Sequence, residues 1–296
     1  MSASFITFKN HAGWMVRGNA VVPRPSGASH MEAVAYLVSQ VETGGKFGTV
    51  QSYDGAGMSA GLLHNVAVLP STMTQGDLWL LIAHMRDAVG SLGIVGVKMA
   101  AAGWALTAGG VLMKGGKQVT GAEIRQEFVG SPDGNGLPGY TRGKEWAEGF
   151  SLLFSDPSTF DTQIAFAILW LAKGKAATEQ QAYAKFGISG DLKLVLRSQL
   201  QPEIDMAMSV YHCFSVNAPT PAADILMQAL AHYGSGATAP HDFAKDLISR
   251  FGKSDFARWH DDPQDQGSRY DSTRVAVEKS GLWSLDLVHA LMPRNL

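Results

Sequence analysis

The chain has 296 residues, 46% apolar and 17% charged, a balance that excludes a disordered protein and supplies a sizeable core. Its net charge of −2 leaves no bulk basic surface for nucleic acid and weakly favours a neutral or cationic substrate over an acidic polymer. The single cysteine, Cys213, excludes an internal disulfide and a cysteine-based zinc cluster, and its setting Y-H-C-F marks a buried structural thiol.

Lys9, Asn10, His11 and Arg17 interrupt residues 1–18, so no signal-peptide core is expected there. Residues 1–28 end in V-V-P-R-P-S-G and read as a surface arm or short strand. Ser29 and Glu32 then form an S-x-x-E capping box that opens a helix. Val34, Leu37, Val38 and Val41 fall on one face of it, and Gly44-Gly45 stops it. Glu42 therefore stands in the last turn. There the negative end of the helix dipole and partial burial both favour a protonated carboxyl.

Residues 47–54 have strand character, and Gly55 and Gly57 mark a turn. A second helix follows, with Thr74 and Asp77 at its start and Leu78, Leu81, Ile82, Met85 and Val89 on its apolar face. G-G-V-L-M-K-G-G-K, within the Gly/Ala/Val-rich stretch 94–119, predicts either a second hairpin or a helix end. Residues 120–129 read as a short helix with Glu123 in another capping box. S-P-D-G-N-G-L-P-G-Y, residues 131–140, is a loop and a candidate boundary or cleft rim.

Helices are predicted over 142–154, 158–173, 179–186, 191–214, 221–233 and 241–251. After a polar loop at 261–268 come two more, at 272–279 and 284–291. The apolar run 164–172 is too short to span a bilayer, so no transmembrane segment is expected. The fold class is α+β, predominantly helical, with one small β-element in the N-terminal third. The expected organisation is an N-terminal arm, 1–28, and a domain over 29–296, either a single body or two lobes with a loop near 131–140.

Glu42 and Asp54 stand twelve positions apart, one closing a helix and one in a glycine-bounded hairpin. Two carboxyl groups across a cleft suit glycoside hydrolysis. One stays protonated to give a proton to the leaving oxygen; the other stays ionised to activate water or stabilise a sugar cation. With 26 acidic residues in the chain such spacings also arise by chance, so the neighbouring residues carry the weight.

D-G-A-G-M-S-A-G-L-L, from Asp54 to Leu63, resembles the segment of the chitosanase branch of the lysozyme-like superfamily in which Asp precedes Gly-x-Gly, an aromatic, Thr, Gly-Gly and an aliphatic pair. Asp54, Gly55, Gly57, Gly61, Leu62 and Leu63 match, and Ser59 keeps the hydroxyl of the threonine. A-G-L-L-H is similar to the G-x-G-L-M-Q segment of lytic transglycosylases and goose-type lysozymes, with His64 in place of Gln. E-T-G-G likewise resembles the Glu-Ser that closes their first catalytic helix. The likeness is close over about twenty residues and loose over the first 170 or so. Met58 replaces the usual aromatic and the Glu–Asp spacing is shorter than in chitosanases, departures that bear on the substrate more than on the fold.

The resemblance implies a lysozyme-like fold with Glu42 as general acid, Asp54 as the base that activates water, and Ser59 as the group that orients it. The expected activity is cleavage of a β-1,4-linked amino-sugar polymer by an inverting mechanism. Peptidoglycan, in acetylated or de-acetylated form, is the first choice and chitosan the second. The alternatives are a lytic transglycosylase using Glu42 alone and a non-catalytic glycan-binding or virion structural protein on the same scaffold. With no leader expected, a wall-degrading chain would reach its substrate by phage lysis or non-classical secretion.

Gln51 and Tyr53 alternate onto one strand face, where they either bond sugar hydroxyls or face solvent. His64 is a candidate contact to substrate or to Asp54, with a purely structural role as the alternative. Tyr140, after the glycine loop, is a candidate for stacking on a sugar ring. Trp104, Trp146 and Trp170 read as core. The nine histidines are scattered without H-E-x-x-H or paired spacing, and no Walker loop, Rossmann fingerprint or G-x-S-x-G elbow occurs, so neither a metal nor an organic cofactor is expected.

Overall fold

Glycine and proline punctuate this chain, and the elements between them are seen in a computed structural model that describes residues 2–8, 11–27, 29–52, 56–129, 137–173, 177–234, 236–258 and 268–294. The architecture is α+β and predominantly helical. The residues cluster into two compact units, one made of Met1–Val22 and Glu42–Phe166, the other of Pro23–Val41 and Ala167–Leu296. None of the three cuts between them falls in the glycine loop at 131–140. Residues 130–136 of that region lie outside the described ones, and 137–140 already belong to a helix.

Within the segment expected as a surface arm or short strand, two strands form. Strands β1 (Ser4–Phe8) and β2 (His11–Val16) pair antiparallel, with the Phe5 and Trp14 rings edge to face at 5.2 Å. Their aromatic and β-branched residues suit a pleated surface, and the polar pair Lys9-Asn10 falls between the strands. Helix α1 (His30–Thr43) follows, ending where Gly44 and Gly45 take φ of 64° and 69°. The chain then returns as β3 (Val50–Gln51), β4 (Ser59–Ala60) and β5 (Asn65–Val66), completing a five-stranded sheet in the order β1-β2-β3-β4-β5. Val16, Val50, Ala60 and Asn65 form one buried cross-strand row; Met15, Gln51, Ser59 and Val66 form the adjacent row.

The rest of the first unit covers this sheet. Strands β6 (Val68–Leu69) and β7 (Thr74–Gln75) pair and lead into α2 (Leu78–Val89). Asp77, expected to cap α2, instead accepts hydrogen bonds from Val66 N at 2.9 Å and Asn65 Nδ2 at 2.8 Å. Its carboxylate thus ties β5 to the start of α2, because those donors outcompete the helix's own first turn. Helix α3 (Gly93–Ala101) was masked in the sequence by its glycines. Strand β8 (Ala105–Leu106) then joins a true hairpin, β9 (Leu112–Lys114) and β10 (Lys117–Gln118), turned by Gly115 and Gly116 at positive φ.

Helix α4 (Gly121–Val129) opens on the expected capping box: Glu123 accepts from Thr120 N at 2.7 Å, and Thr120 Oγ1 accepts from Glu123 N at 3.2 Å. Helix α5 (Leu137–Phe154) packs on β2, β3 and β4. Trp79, Trp104, Phe128, Trp146 and Phe150 form a contiguous aromatic core, so Trp104 and Trp146 are core residues as expected. Gly61 sits against this core at φ +83°, and a Cβ there would lie 2.9 Å from Phe154 Cε1 and 3.0 Å from Leu81 Cδ2. Gly61→Ala should therefore destabilise the first unit by about 2–4 kcal/mol, combining left-handed strain with overpacking. Urea unfolding read from hydrogen exchange in β4 and β5 tests this; an unchanged midpoint would remove the packing explanation.

Helix α6 (Phe160–Leu171) leads into the second unit, which is built from helices α7 (Ala177–Lys185), α8 (Pro202–Ser215), α9 (Pro219–Tyr233), α10 (Pro240–Lys253), α11 (Arg269–Ser280) and α12 (Leu285–Leu291). The single helix expected over 191–214 is two short 3-10 turns, Leu192–Leu194 and Arg197–Gln199, followed by α8. Pro202 explains the break: it holds Gln201 extended at ψ 142° and supplies the first helical position. Every residue from Ile204 to Phe214 is buried, Cys213 included, so α8 is the axis of this unit, with α9 and α10 packed on it. Among the described residues no helix is long and apolar enough to cross a membrane.

Candidate functional site

The double glycine after α1 holds Glu42 in the helix's last turn, and its side chain is only 3% exposed. Its Oε2 lies 3.7 Å from Nδ1 of His64. A tight turn delivers that imidazole: His64 N donates to the carbonyl of Gly61 at 3.0 Å, and His64 itself takes φ 49°. A non-glycine residue in the left-handed region is uncommon and costs about 1 kcal/mol or more, strain of the kind that gathers at functional sites.

The cross-strand register puts Gln51 of β3 opposite Ser59 of β4, so both point to one face of the sheet. Ser59 is buried and Gln51 half-buried. Of the residues expected to form the site, the structure pairs Glu42 with His64, and Gln51 with Ser59. Tyr53 and Asp54 lie outside the described residues, in the segment joining β3 to β4. Tyr140 falls on α5 and its side chain is likewise outside the described part. His64, a candidate partner of Asp54 in the sequence, stands beside Glu42.

The second unit holds a buried polar chain that the sequence did not announce. Asp205 on α8 accepts from His30 Nδ1 at 2.7 Å, Arg197 Nε at 2.8 Å and Trp283 Nε1 at 2.7 Å. His30 Nε2 lies 2.9 Å from the Tyr183 hydroxyl, which lies 3.2 Å from His212 Nε2. His212 Nε2 is also 3.3 Å from Glu179 Oε1, and the Tyr211 hydroxyl donates to Glu179 Oε2 at 3.4 Å. An ionised carboxylate can only accept, so His30 Nδ1 donates to Asp205.

Burial opposes ionisation of Asp205, but the hydrogen bonds and charges of His30 and Arg197 hold its carboxyl below the usual range. Burial pushes the Tyr183 phenol well up, reinforced by the carboxylates of Glu179 and Asp205. The signal that could have revealed the chain is Asp205 and His212, seven residues apart on one face of an otherwise apolar helix.

Among the described residues no group of three or more His, Cys, Asp and Glu converges to hold a metal ion. No protein-family model, curated protein or solved structure matches the chain.

Proposed function

We propose that the chain is a lysozyme-like glycoside hydrolase that cleaves β-1,4-linked amino-sugar polymers, with peptidoglycan as the first substrate and chitosan the second. The observation that carries the proposal is the buried carboxyl of Glu42 at the carboxyl end of α1, met by a strained His64 in the turn between β4 and β5. Acid-catalysed glycoside cleavage needs a positioned carboxyl as proton donor and a second carboxyl across the cleft, and Glu42 is the candidate for the first.

In this scheme Glu42 gives its proton to the glycosidic oxygen as the bond from the anomeric carbon breaks. Asp54 takes a proton from a water that attacks the opposite face of the sugar, and Ser59 orients that water. His64 positions the Glu42 carboxyl, and Gln51, Tyr53 and Tyr140 are the candidate contacts to sugar. The product is an inverted reducing end, which requires the two carboxyls to stand about 6.5–9.5 Å apart.

The test is mass spectrometry of products from cell-wall sacculi and, in parallel, chitosan oligomers, digested in water labelled with heavy oxygen. A hydrolase incorporates the label at each new reducing end, and Asp54→Asn should lower that release by about 100-fold or more. Unlabelled anhydro ends that persist in Asp54→Asn would mean a transglycosylase using Glu42 alone. Absence of any cleavage of either polymer would overturn the hydrolase reading in favour of a non-catalytic glycan-binding or virion structural protein.

A further inference from the structure

We infer that the second unit carries a binding site for a small primary ammonium compound with a polar skeleton, in the cavity where α6, α7, α8 and α9 meet. The assignment does not depend on the hydrolase proposal, which places its chemistry in the first unit.

The cavity has a volume of about 260 Å³, room for a small organic molecule and more than a lone ion needs. Its lining includes two carboxylates, Glu179 and Asp224, and among the described lining residues there is no lysine or arginine. The first turn of α9, which includes Thr220, also borders it and offers at most about half a positive charge. The two acidic side chains outweigh that dipole, and with His212 as the one basic side chain of the described lining the site favours a cation.

The two carboxylates differ in a way that suits a ligand. Asp224 is exposed at the rim, while the Glu179 side chain is only 4% exposed, its Oε2 accepting from the Tyr211 hydroxyl and its Oε1 3.3 Å from His212 Nε2. That fixes Glu179 before any ligand arrives, so little ordering remains at binding. Trp170 and Tyr211 supply aromatic surface, which attracts an ammonium group and accepts the flat face of a sugar ring. The hydroxyls of Ser215 and Thr220 supply polar contacts for the remaining skeleton. An amino sugar and a diamino acid share this chemistry.

The experiment is calorimetric titration of the full chain with glucosamine, lysinamide, N-acetylglucosamine and glucose. At least one of the two amines should saturate the site, and the two uncharged sugars should bind at least about 10-fold more weakly. Preference between glucosamine and lysinamide identifies the source of the amine. Asp224→Asn should weaken binding about 3-fold and Trp170→Leu about 5-fold. Glu179→Gln should weaken it at least about 10-fold. The exposed Asp224 and half-buried Trp170 decide the matter if Glu179→Gln disturbs folding. No saturation by either amine up to about 50 mM, equal binding of N-acetylglucosamine, or unchanged affinity in both Asp224→Asn and Trp170→Leu would each overturn the assignment.

Discussion

Glu42→Gln should lower glycan turnover by at least about 1,000-fold while leaving glycan binding and the unfolding transition where they are. The substitution keeps the shape and hydrogen-bonding capacity of the side chain, which matters at a position only 3% exposed. In the proposed mechanism it removes the transferable proton, without which the leaving sugar oxygen would have to depart as an alkoxide. If Glu42 were only a helix-end residue, glutamine would serve as well, because Gly44 and Gly45 stop the helix whatever precedes them. Three measurements decide it: reducing-end release from sacculi, co-sedimentation with the same sacculi, and thermal unfolding. A variant that digests as fast as the parent sinks the catalytic role. One that loses binding and stability together assigns Glu42 to the fold instead.

The second large effect belongs to Asp205. Asp205→Asn should destabilise the second unit by about 3–5 kcal/mol, the usual consequence of removing one member of a buried charged network. The carboxylate accepts from His30, Arg197 and Trp283 together, whereas an amide has one accepting oxygen and turns its NH₂ toward donors. The sign of the pH dependence follows from the lowered folded-state pKa. Above the ordinary aspartate value of about 3.9 the parent holds this contribution in full, and it is lost as pH falls through the lower folded value. The gap between parent and variant should therefore be widest near neutrality and shrink in acid. Hydrogen exchange at α8, read at neutral and at acidic pH, measures it. Equal protection at neutral pH, or a gap that does not change with pH, would contradict the role assigned to the carboxylate.

What the sequence made legible is what neighbours along the chain decide. The Thr120–Glu123 capping box, the Gly115-Gly116 hairpin and the halt of α1 after Glu42 are all set by residues within a turn of each other. The pairing of β1 with β2 is hidden in the sequence because Lys9 and Asn10 interrupt its apolar run. The start of α8 is hidden because apolar spacing continues across Pro202. The buried chain in the second unit was invisible for a deeper reason. His30, Glu179, Tyr183, Arg197, Asp205, His212 and Trp283 come from scattered segments, and only tertiary packing brings them together. At the candidate active site, Glu42 was legible from the helix stop, while its pairing with His64 needed the left-handed turn after Gly61.

The interleaving of the two units has a consequence for biosynthesis. Residues 42–166, with 1–22, contain everything the first unit needs, so it is complete once the ribosome has passed Phe166. The stretch 23–41 is made before most of it, yet its own unit is finished only when α8 to α12 have emerged. At ordinary elongation rates that delay is on the order of ten seconds. For that interval Met31, Val34, Leu37 and Val38, buried in the finished protein, are made ahead of the helices that complete their unit.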